Sequence, residues 1–131
     1  MEIKWFTLEE ANALLPTIRE ELAAVQSVAK DYEERYQRLI QLKEKAGKRQ
    51  SEQSDPFFTL ECELEFIQIE ARTIIQSIHR KGAQLKDLDM GLIDFPAILN
   101  GEEVLLCWRQ GEDSITHWHG INDGFYGRKP L

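Results

Sequence analysis

Apolar residues recur every three or four positions through the first forty residues of the chain. The recurring positions are Leu8, Ala11, Leu15, Ile18, Leu22, Val25, Ala29, Tyr32, Tyr36 and Leu39. This heptad-like seam predicts a long helix that packs on another helix. Thr7 and Glu10 have the spacing of a capping box, which predicts that the helix begins after Thr7. Pro16 predicts a kink or a break near residues 13–16, and the unbroken phase of the seam favours the kink.

A second seam of the same period follows a polar stretch. Its positions are Phe57, Leu60, Leu64, Ile67, Ala71, Ile74 and Ile78. The polar residues near 45–55 predict a flexible loop, with Ser54 or Asp55 capping the second helix and Pro56 at its first position. Two helices with matching seams, joined by such a loop, predict a long antiparallel hairpin of coiled-coil type.

The second helix has more apolar residues than one seam needs. Beside its main seam it carries Phe58, Cys62, Phe66 and Ile69. A two-helix hairpin leaves such residues uncovered. We therefore expect a further packing partner, which is either the C-terminal region or a second copy of the chain.

After Gly82 the apolar period changes from three or four residues to two. Asn100-Gly101 is a strong hairpin signal between two apolar runs, and a second turn is expected at 110–113. These signals predict a three-stranded antiparallel meander over Leu92–Leu99, Glu102–Arg109 and Ser114–His119. The predicted fold class is therefore α+β. Residues 1–82 would form the helical hairpin, and residues 83–131 the meander and tail, packed on the hairpin as one unit.

The turn lengths also predict the strand register. A two-residue turn pairs Ala97 with Val104, Phe95 with Leu106 and Ile93 with Trp108. A second turn of two or four residues pairs Leu106 with His117 and Val104 with His119. The apolar face, expected to pack on the helices, then holds Ile93, Phe95, Ala97, Val104, Leu106, Trp108, Ile115, His117 and His119. The other face holds Leu92, Asp94, Leu105, Cys107, Arg109, Thr116 and Trp118.

Charge and composition narrow the classes of partner. The formal net charge is −7, which disfavours nucleic acid and anionic membranes as main partners. The two cysteines lack CxxC spacing, so we expect no disulfide framework. No secretory signal pattern and no long apolar run is present, and we expect a cytoplasmic protein.

Two motifs could hold a metal ion. His117 and His119 alternate along one strand, so both imidazoles could reach one ion, although the predicted register puts Cys107 on the other face. The alternative is two half-buried histidines without a metal. Asp87, Asp89 and Asp94 could bind a hard cation or act as acid and base, or they could simply cap a turn that Gly91 permits.

The C-terminal motif GFYGRKPL could contribute to a ligand site. Arg128 could bind a carboxylate or a phosphate, and Phe125 could cover a ligand. The alternative is a tail that Phe125 pins to the domain, with Arg128 paired to a nearby aspartate. Cys107 could act as a nucleophile, but a structural buried thiol is the favoured interpretation.

Several motifs carry a resemblance to a known family. FTLEEANALLP, KDLDMGLIDFP, LLCWRQGE, HWHG and GFYGRKPL resemble an uncharacterised bacterial family, domain of unknown function 2203, over the whole chain. The family pattern includes DLDxGLVDF, LCWRxGE, WHG and GFxGRxP, and Ile93 stands here in place of valine. The resemblance implies no activity, and His117 falls outside its pattern. It singles out Asp87, Asp89, Asp94, Cys107, Trp108, Arg109, Trp118, His119, Gly124, Phe125, Gly127 and Arg128.

Two functional hypotheses follow. The first is a non-enzymatic interaction or assembly module whose hairpin binds a protein partner or a second copy. The second is a small-ligand or divalent-metal site, or an enzyme, between the meander, the Asp-rich turn and the tail. Its candidate residues are Asp87, Asp89, Asp94, Trp108, Arg109, Trp118, His119, Phe125 and Arg128, with His117 and His119 as metal ligands. Beyond that divalent metal, no cofactor is predicted.

Overall fold

A computed structural model describes residues 2–46 and 56–131 of the chain. Two helices, α1 (Leu8–Ala46) and α2 (Pro56–Arg80), precede five strands. The strands are β1 (Gln84–Asp87), β2 (Leu92–Leu99), β3 (Glu102–Arg109), β4 (His117–Gly120) and β5 (Lys129–Pro130), with a 3₁₀ turn at Phe125–Gly127 before the last. The predicted α+β class is confirmed. Residues 47–55 of the predicted loop, with the proposed caps Ser54 and Asp55, lie outside the described residues.

Helix α1 begins as the capping box predicts. The Thr7 backbone N–H donates to Glu10 Oε1 at 2.9 Å, and the Glu10 N–H donates to Thr7 Oγ1 at 3.1 Å. The helix continues through the exposed Pro16 without interruption, so a break near residues 13–16 is excluded. The seam residues Ala11, Leu15, Ile18, Leu22 and Val25 are buried. Neither α1 nor α2, within its described residues, is long and apolar enough to cross a membrane.

The chain falls into two compact units. The first reaches Ala23 and resumes from Ile75 to Leu131, and the second is Ala24–Ile74. This division crosses both helices, whereas the division expected at residue 82 follows the change of periodicity. The first unit contains the sheet, and the second contains the C-terminal half of α1, from residue 24, and α2 as far as Ile74.

Ionic and apolar contacts join the helices within the second unit. Leu39 of α1 forms a buried cluster with Phe57, Leu60 and Leu64 of α2. Arg35 Nη1 lies 2.6 Å from Glu63 Oε2, and Lys43 Nζ lies 3.3 Å from Glu61 Oε1. Because rising numbers on α1 meet falling numbers on α2, the two helices are antiparallel.

The sheet is a five-stranded antiparallel meander in the order β1-β2-β3-β4-β5. The expected three strands are its centre, and β1 and β5 are additions that correct the prediction. The four residues of β1 and the two of β5 are too short for their apolar period to be recognised. The last of the three predicted strands, expected at Ser114–His119, is His117–Gly120.

The two central hairpins differ in how well their registers were predicted. Between β2 and β3 the expected pairs are confirmed, including Phe95 with Leu106. Between β3 and β4 the prediction was wrong by one residue, because Leu105 pairs with His119 and Cys107 pairs with His117. The connection between these strands spans residues 110–116 instead of the two or four residues expected. A one-residue shift moves every side chain to the other face, so His119 lies on the face of Cys107.

The apolar face of the sheet packs on the beginning of α1, as predicted. The rings of Phe6 and Phe95 meet edge to face at 5.3 Å. The Arg19 guanidinium lies 5.6 Å from the Trp108 ring, which is almost fully buried. The opposite face carries Asp94, Cys107 and His119, and this face positions the candidate site.

Two glycines with positive φ provide a test of the hairpin turns. Gly91 has φ +70°, and a Cβ there would lie 2.6 Å from Gln110 Cβ, whereas Gly101 has φ +81° and open space around it. We expect Gly101→Ala to cost about 1–2 kcal/mol, because alanine disfavours the left-handed region. Gly91→Ala should lower the free energy of unfolding further, because the clash adds to the same strain. Urea denaturation measures both, and equal losses would contradict the packing at Gly91.

Candidate metal site

Three adjacent strands bring together a carboxylate, a thiol and an imidazole. Asp94 of β2 lies directly opposite Cys107 of β3, and His119 of β4 lies opposite Leu105, the next residue on the same face. One donor atom from each side chain lies within 4.8 Å of the other two. Asp94, Cys107 and His119 are 2%, 1% and 4% exposed. Ionisable side chains that are buried this deeply must form hydrogen bonds with one another or bind a ligand.

The hydrogen bonds of His119 determine how its ring is oriented and protonated. Nδ1 lies 2.8 Å from the Gly120 carbonyl oxygen, and Nε2 lies 2.9 Å from Asp94 Oδ2. Because a carbonyl oxygen can only accept, Nδ1 carries a hydrogen and donates it. The bond between Nε2 and Asp94 then contains one further proton, which Asp94 and His119 share.

Burial shapes the protonation of the other two groups. Burial raises the pKa of Asp94, against the opposing charge and hydrogen bond of His119. Burial and the nearby Asp94 raise the pKa of Cys107 to about 12, although Arg128 opposes the shift. The thiol is therefore protonated near neutral pH.

This geometry disfavours Cys107 as a nucleophile. A nucleophilic cysteine needs a lowered pKa or a base that takes its proton. Both ring nitrogens of His119 are already engaged, by Gly120 and Asp94. The three side chains are better suited to bind an ion together than to activate the thiol.

A cavity of about 140 Å³ opens beside the three donors. Its wall is completed by Lys86, Leu92, Leu105, Ile121, Asp123, Gly124 and Phe125. This volume can hold a few water molecules or a small ligand. The cavity therefore offers space next to the Asp94, Cys107 and His119 side chains.

Glu112, in the loop between β3 and β4, binds the C-terminal tail beside this site. Its Oε1 accepts from the Arg109 backbone N–H at 2.7 Å and from Arg128 Nη1 at 3.0 Å, and its Oε2 accepts from Arg128 Nη2 at 2.9 Å. The expectation that Arg128 pairs with an aspartate was therefore wrong. The β3–β4 loop places Glu112, and none of the nearby aspartates, within reach of the guanidinium.

The C-terminal tail is held to the sheet through Phe125. The Arg109 and Arg128 guanidinium carbons lie 5.4 and 4.4 Å from the Phe125 ring centroid. Such distances are typical of cation–π contacts. Arg109, Phe125 and Arg128, all three expected at a ligand site, thus support the wall of the cavity.

The three aspartates of the Asp-rich turn have different roles. Asp87 Oδ1 accepts from the Met90 backbone N–H at 2.8 Å, which is the turn-capping alternative, and Asp89 is exposed. Asp94 alone, of the three aspartates, belongs to the Cys107–His119 cluster.

The remaining candidates lie apart from the cluster. His117 Nδ1 bonds to Thr116 Oγ1 at 2.9 Å, and His117 is not in the three-residue cluster found among the described residues. Trp108 and Trp118 lie on the opposite face of the sheet, where Lys129 Nζ is 5.3 Å from the Trp118 ring. The expectation that Cys107 lies on a different face from His119 was wrong, for the reason of register given above.

Three residues near the site were not among the candidates drawn from the sequence. Glu112 could have been identified, because it is the last residue of the motif LLCWRQGE and follows Gly111. Lys86 belongs to a strand that was not predicted, and Asp123 lies between the HWHG and GFYGRKPL motifs. Lys86 begins the motif KDLDMGLIDFP but precedes the family pattern DLDxGLVDF, and Asp123 stands in no motif, so neither was identified.

Comparison with known families gives one match. The model of a family described as an uncharacterized conserved protein, DUF2203, matches residues 4–131. No curated protein and no solved structure matches the chain. The motifs behind the resemblance meet at the site, since Asp94, Cys107, His119 and Arg128 each come from a different one.

The Glu112 carboxylate predicts a pH-dependent contribution to stability. Burial would raise the pKa of Glu112, but Arg128 and the Arg109 backbone outweigh burial and lower it. A lowered folded pKa stabilises above the unfolded pKa, and this stabilisation is lost as pH falls through the folded value. Glu112→Gln should lower the free energy of unfolding at neutral pH by about 1–3 kcal/mol.

The difference between wild type and Glu112→Gln should shrink in acid, because Glu112 then becomes neutral as well. Urea denaturation at neutral pH and at about pH 3 measures it. Glu103→Gln, at an exposed position of β3, is the control and should change little. A Glu112→Gln effect that is the same at both pH values would contradict a role for the charge.

Proposed function

The chain belongs to the uncharacterized conserved family DUF2203, and we propose that it binds a divalent transition-metal ion through Asp94, Cys107 and His119. The observation that carries the proposal is the set of three buried donors within 4.8 Å of one another. The cavity beside them would give the ion an open coordination position.

The donor types favour zinc or a similar ion. Thiolate and imidazole are typical ligands of zinc, whereas calcium and magnesium prefer oxygen ligands. Around a tetrahedral zinc ion, donor atoms are separated by about 3.3–3.6 Å. The three donor atoms here lie up to 4.8 Å apart, so their side chains would have to move on the order of 1 Å to bind the ion.

The surroundings support ligand roles for His119 and Cys107. The Gly120 carbonyl accepts from Nδ1, which is how many metal-bound histidines are oriented through their second nitrogen. An ion would replace the Cys107 thiol proton and the proton shared by Asp94 and His119. Binding would therefore release protons and strengthen as pH rises.

The open coordination position would allow the metal to bind a further small ligand. Three protein ligands and one exchangeable position are typical of metal sites that bind or polarise a small ligand. Lys86 and Asp123, of opposite charge, both line the cavity and could bind polar groups of such a ligand. The proposed function is thus metal-dependent binding of a small polar ligand.

Cobalt titration tests the metal site. With Co²⁺ we expect stoichiometric binding and a near-ultraviolet sulfur-to-cobalt absorption, because a thiolate would be a ligand. Cys107→Ser should remove this absorption, and Asp94→Asn and His119→Gln should each weaken binding by more than about 100-fold. His117→Gln is the matched control on the same strand and should bind as wild type does.

Circular dichroism establishes that each variant is folded before its binding is compared. If the wild-type chain binds neither Co²⁺ nor Zn²⁺ stoichiometrically, the metal proposal is wrong. It is also wrong if Cys107→Ser retains the sulfur-to-cobalt absorption, or if His117→Gln weakens binding as much as His119→Gln.

We also propose a second function, that of a protein-interaction module in the helical hairpin. The observation that favours it is the exposure of apolar side chains on α2: Phe58 is 66%, Phe66 is 72% and Ile69 is 54% exposed. Adjacent exposed apolar residues of this size are typical of interaction surfaces.

Photo-crosslinking inside cells tests the interaction role. A benzophenone amino acid in place of Phe66 should form covalent adducts with whatever protein contacts α2. The same amino acid in place of Ile98, which is 57% exposed on the sheet, is the control. Adducts no more frequent from position 66 than from position 98 would remove the interaction role.

A further inference from the structure

One face of α2 is apolar and points away from α1. We define the outer face of α2 as Phe58, Cys62, Phe66, Ile69 and Thr73. At about 100° of rotation per residue, it lies on the opposite side of the helix from the seam that packs on α1. The largest side chains of the outer face are more exposed than buried, and Cys62 is half-buried.

Two opposite charges flank one edge of the outer face. Glu65 and Arg72 are seven residues apart, so they lie on the same edge about 10 Å from each other along the axis. Among residues 2–46 and 56–131 neither has an ion-pair partner. Glu61 and Glu63, in contrast, already pair with Lys43 and Arg35.

We propose that the outer face of α2 binds the outer face of α2 in a second copy of this chain, with the two helices antiparallel. This inference rests on the interaction role proposed above. Antiparallel pairing brings the edge with Glu65 and Arg72 against the same edge of the partner. Each Glu65 then faces the partner's Arg72, so the ion pair forms twice around a twofold axis.

Charge distinguishes this arrangement from the parallel one. A parallel copy in register would set this edge against the partner's other edge and would bring Glu65 near the partner's Glu70, a like charge, whereas the antiparallel copy opposes Glu65 with the partner's Arg72. Antiparallel helices also align their dipoles favourably. The other edge carries Glu70 and the neutralised Glu63, so the attraction comes from the Glu65–Arg72 edge.

The apolar residues would provide most of the binding free energy. The outer face extends over sixteen residues of α2, or about 24 Å of helix. The register that pairs Glu65 with the partner's Arg72 centres the contact between residues 68 and 69, so Phe66 and Ile69 of both chains lie at its middle. Each Phe66 can bury on the order of 150 Å² or more there. Phe66, near the centre of the outer face, is expected to be a hot spot.

Light scattering on the full chain at micromolar concentration tests the dimer. We expect twice the chain mass of 15.2 kDa. Phe66→Glu should weaken dimerisation by more than about 20-fold, and Ile98→Glu, the exposed control on the sheet, should leave it unchanged. Both substituted residues are exposed, so circular dichroism should show that both variants fold.

Charge reversal tests the antiparallel orientation. Glu65→Arg and Arg72→Glu should each weaken the dimer, by about five-fold or more, because each replaces two attractions with two repulsions. The double variant restores the pairs with opposite sign and should dimerise as wild type does. If the double variant is as weak as the two single variants, the antiparallel pairing is wrong.

The remaining outcomes separate this inference from the interaction role. If light scattering gives the mass of a single chain, the proposed dimer is wrong. It is also wrong if the dimer persists in Phe66→Glu. Crosslinks from position 66 to a different protein would then preserve the interaction role with another partner. No excess crosslinking over position 98 would remove the dimer and the interaction role together.

Discussion

The contacts of Glu112 constrain the part of the molecule that contains the site. Its carboxylate binds Arg128 with two hydrogen bonds, and its backbone carbonyl accepts from Trp108 Nε1 and from Arg19 Nη2, both at 2.9 Å. One residue thus joins α1, β3 and the C-terminal tail. It also fixes the shape of the loop that leads into β4, and that loop determines which face of the sheet His119 occupies. These charge-assisted bonds hold the polar part of the loop, and the buried Ile115 holds its other end.

The elements of the fold could largely be predicted, because their signals are local. The Thr7–Glu10 box, the seams of both helices and the Asn100-Gly101 turn each depend on residues close together in sequence. The missed strand β5 depends instead on contacts between residues distant in sequence. Strand β5 has only two residues, and its pairing with β4 depends on a tail held by Arg128 and Phe125. The boundary between the two units, near Ala23 and Ile75, falls within regular helices and leaves no trace in composition.

The candidate site was predicted only in part, since it depends on one register. Asp94 and His119 could be identified as residue types suited to chemistry, but their meeting could not. Between β2 and β3 a two-residue turn fixes the pairing, so Asp94 could be placed opposite Cys107. Between β3 and β4 the seven-residue connection has no turn signal that sets its length, and a prediction wrong by one residue separated His119 from Cys107. Register over longer loops is set by tertiary contacts such as those of Glu112.

The origin of the three donors in consecutive strands has a consequence for folding. Asp94, Cys107 and His119 meet only when β2, β3 and β4 all have the native register, because a slip of one residue in any strand turns one donor to the other face. A metal ion bound by all three would add its binding free energy to the correctly paired sheet and to no slipped form. The ion would then select the native pairing of β2, β3 and β4 over sheets in which one of these three strands has slipped by a residue.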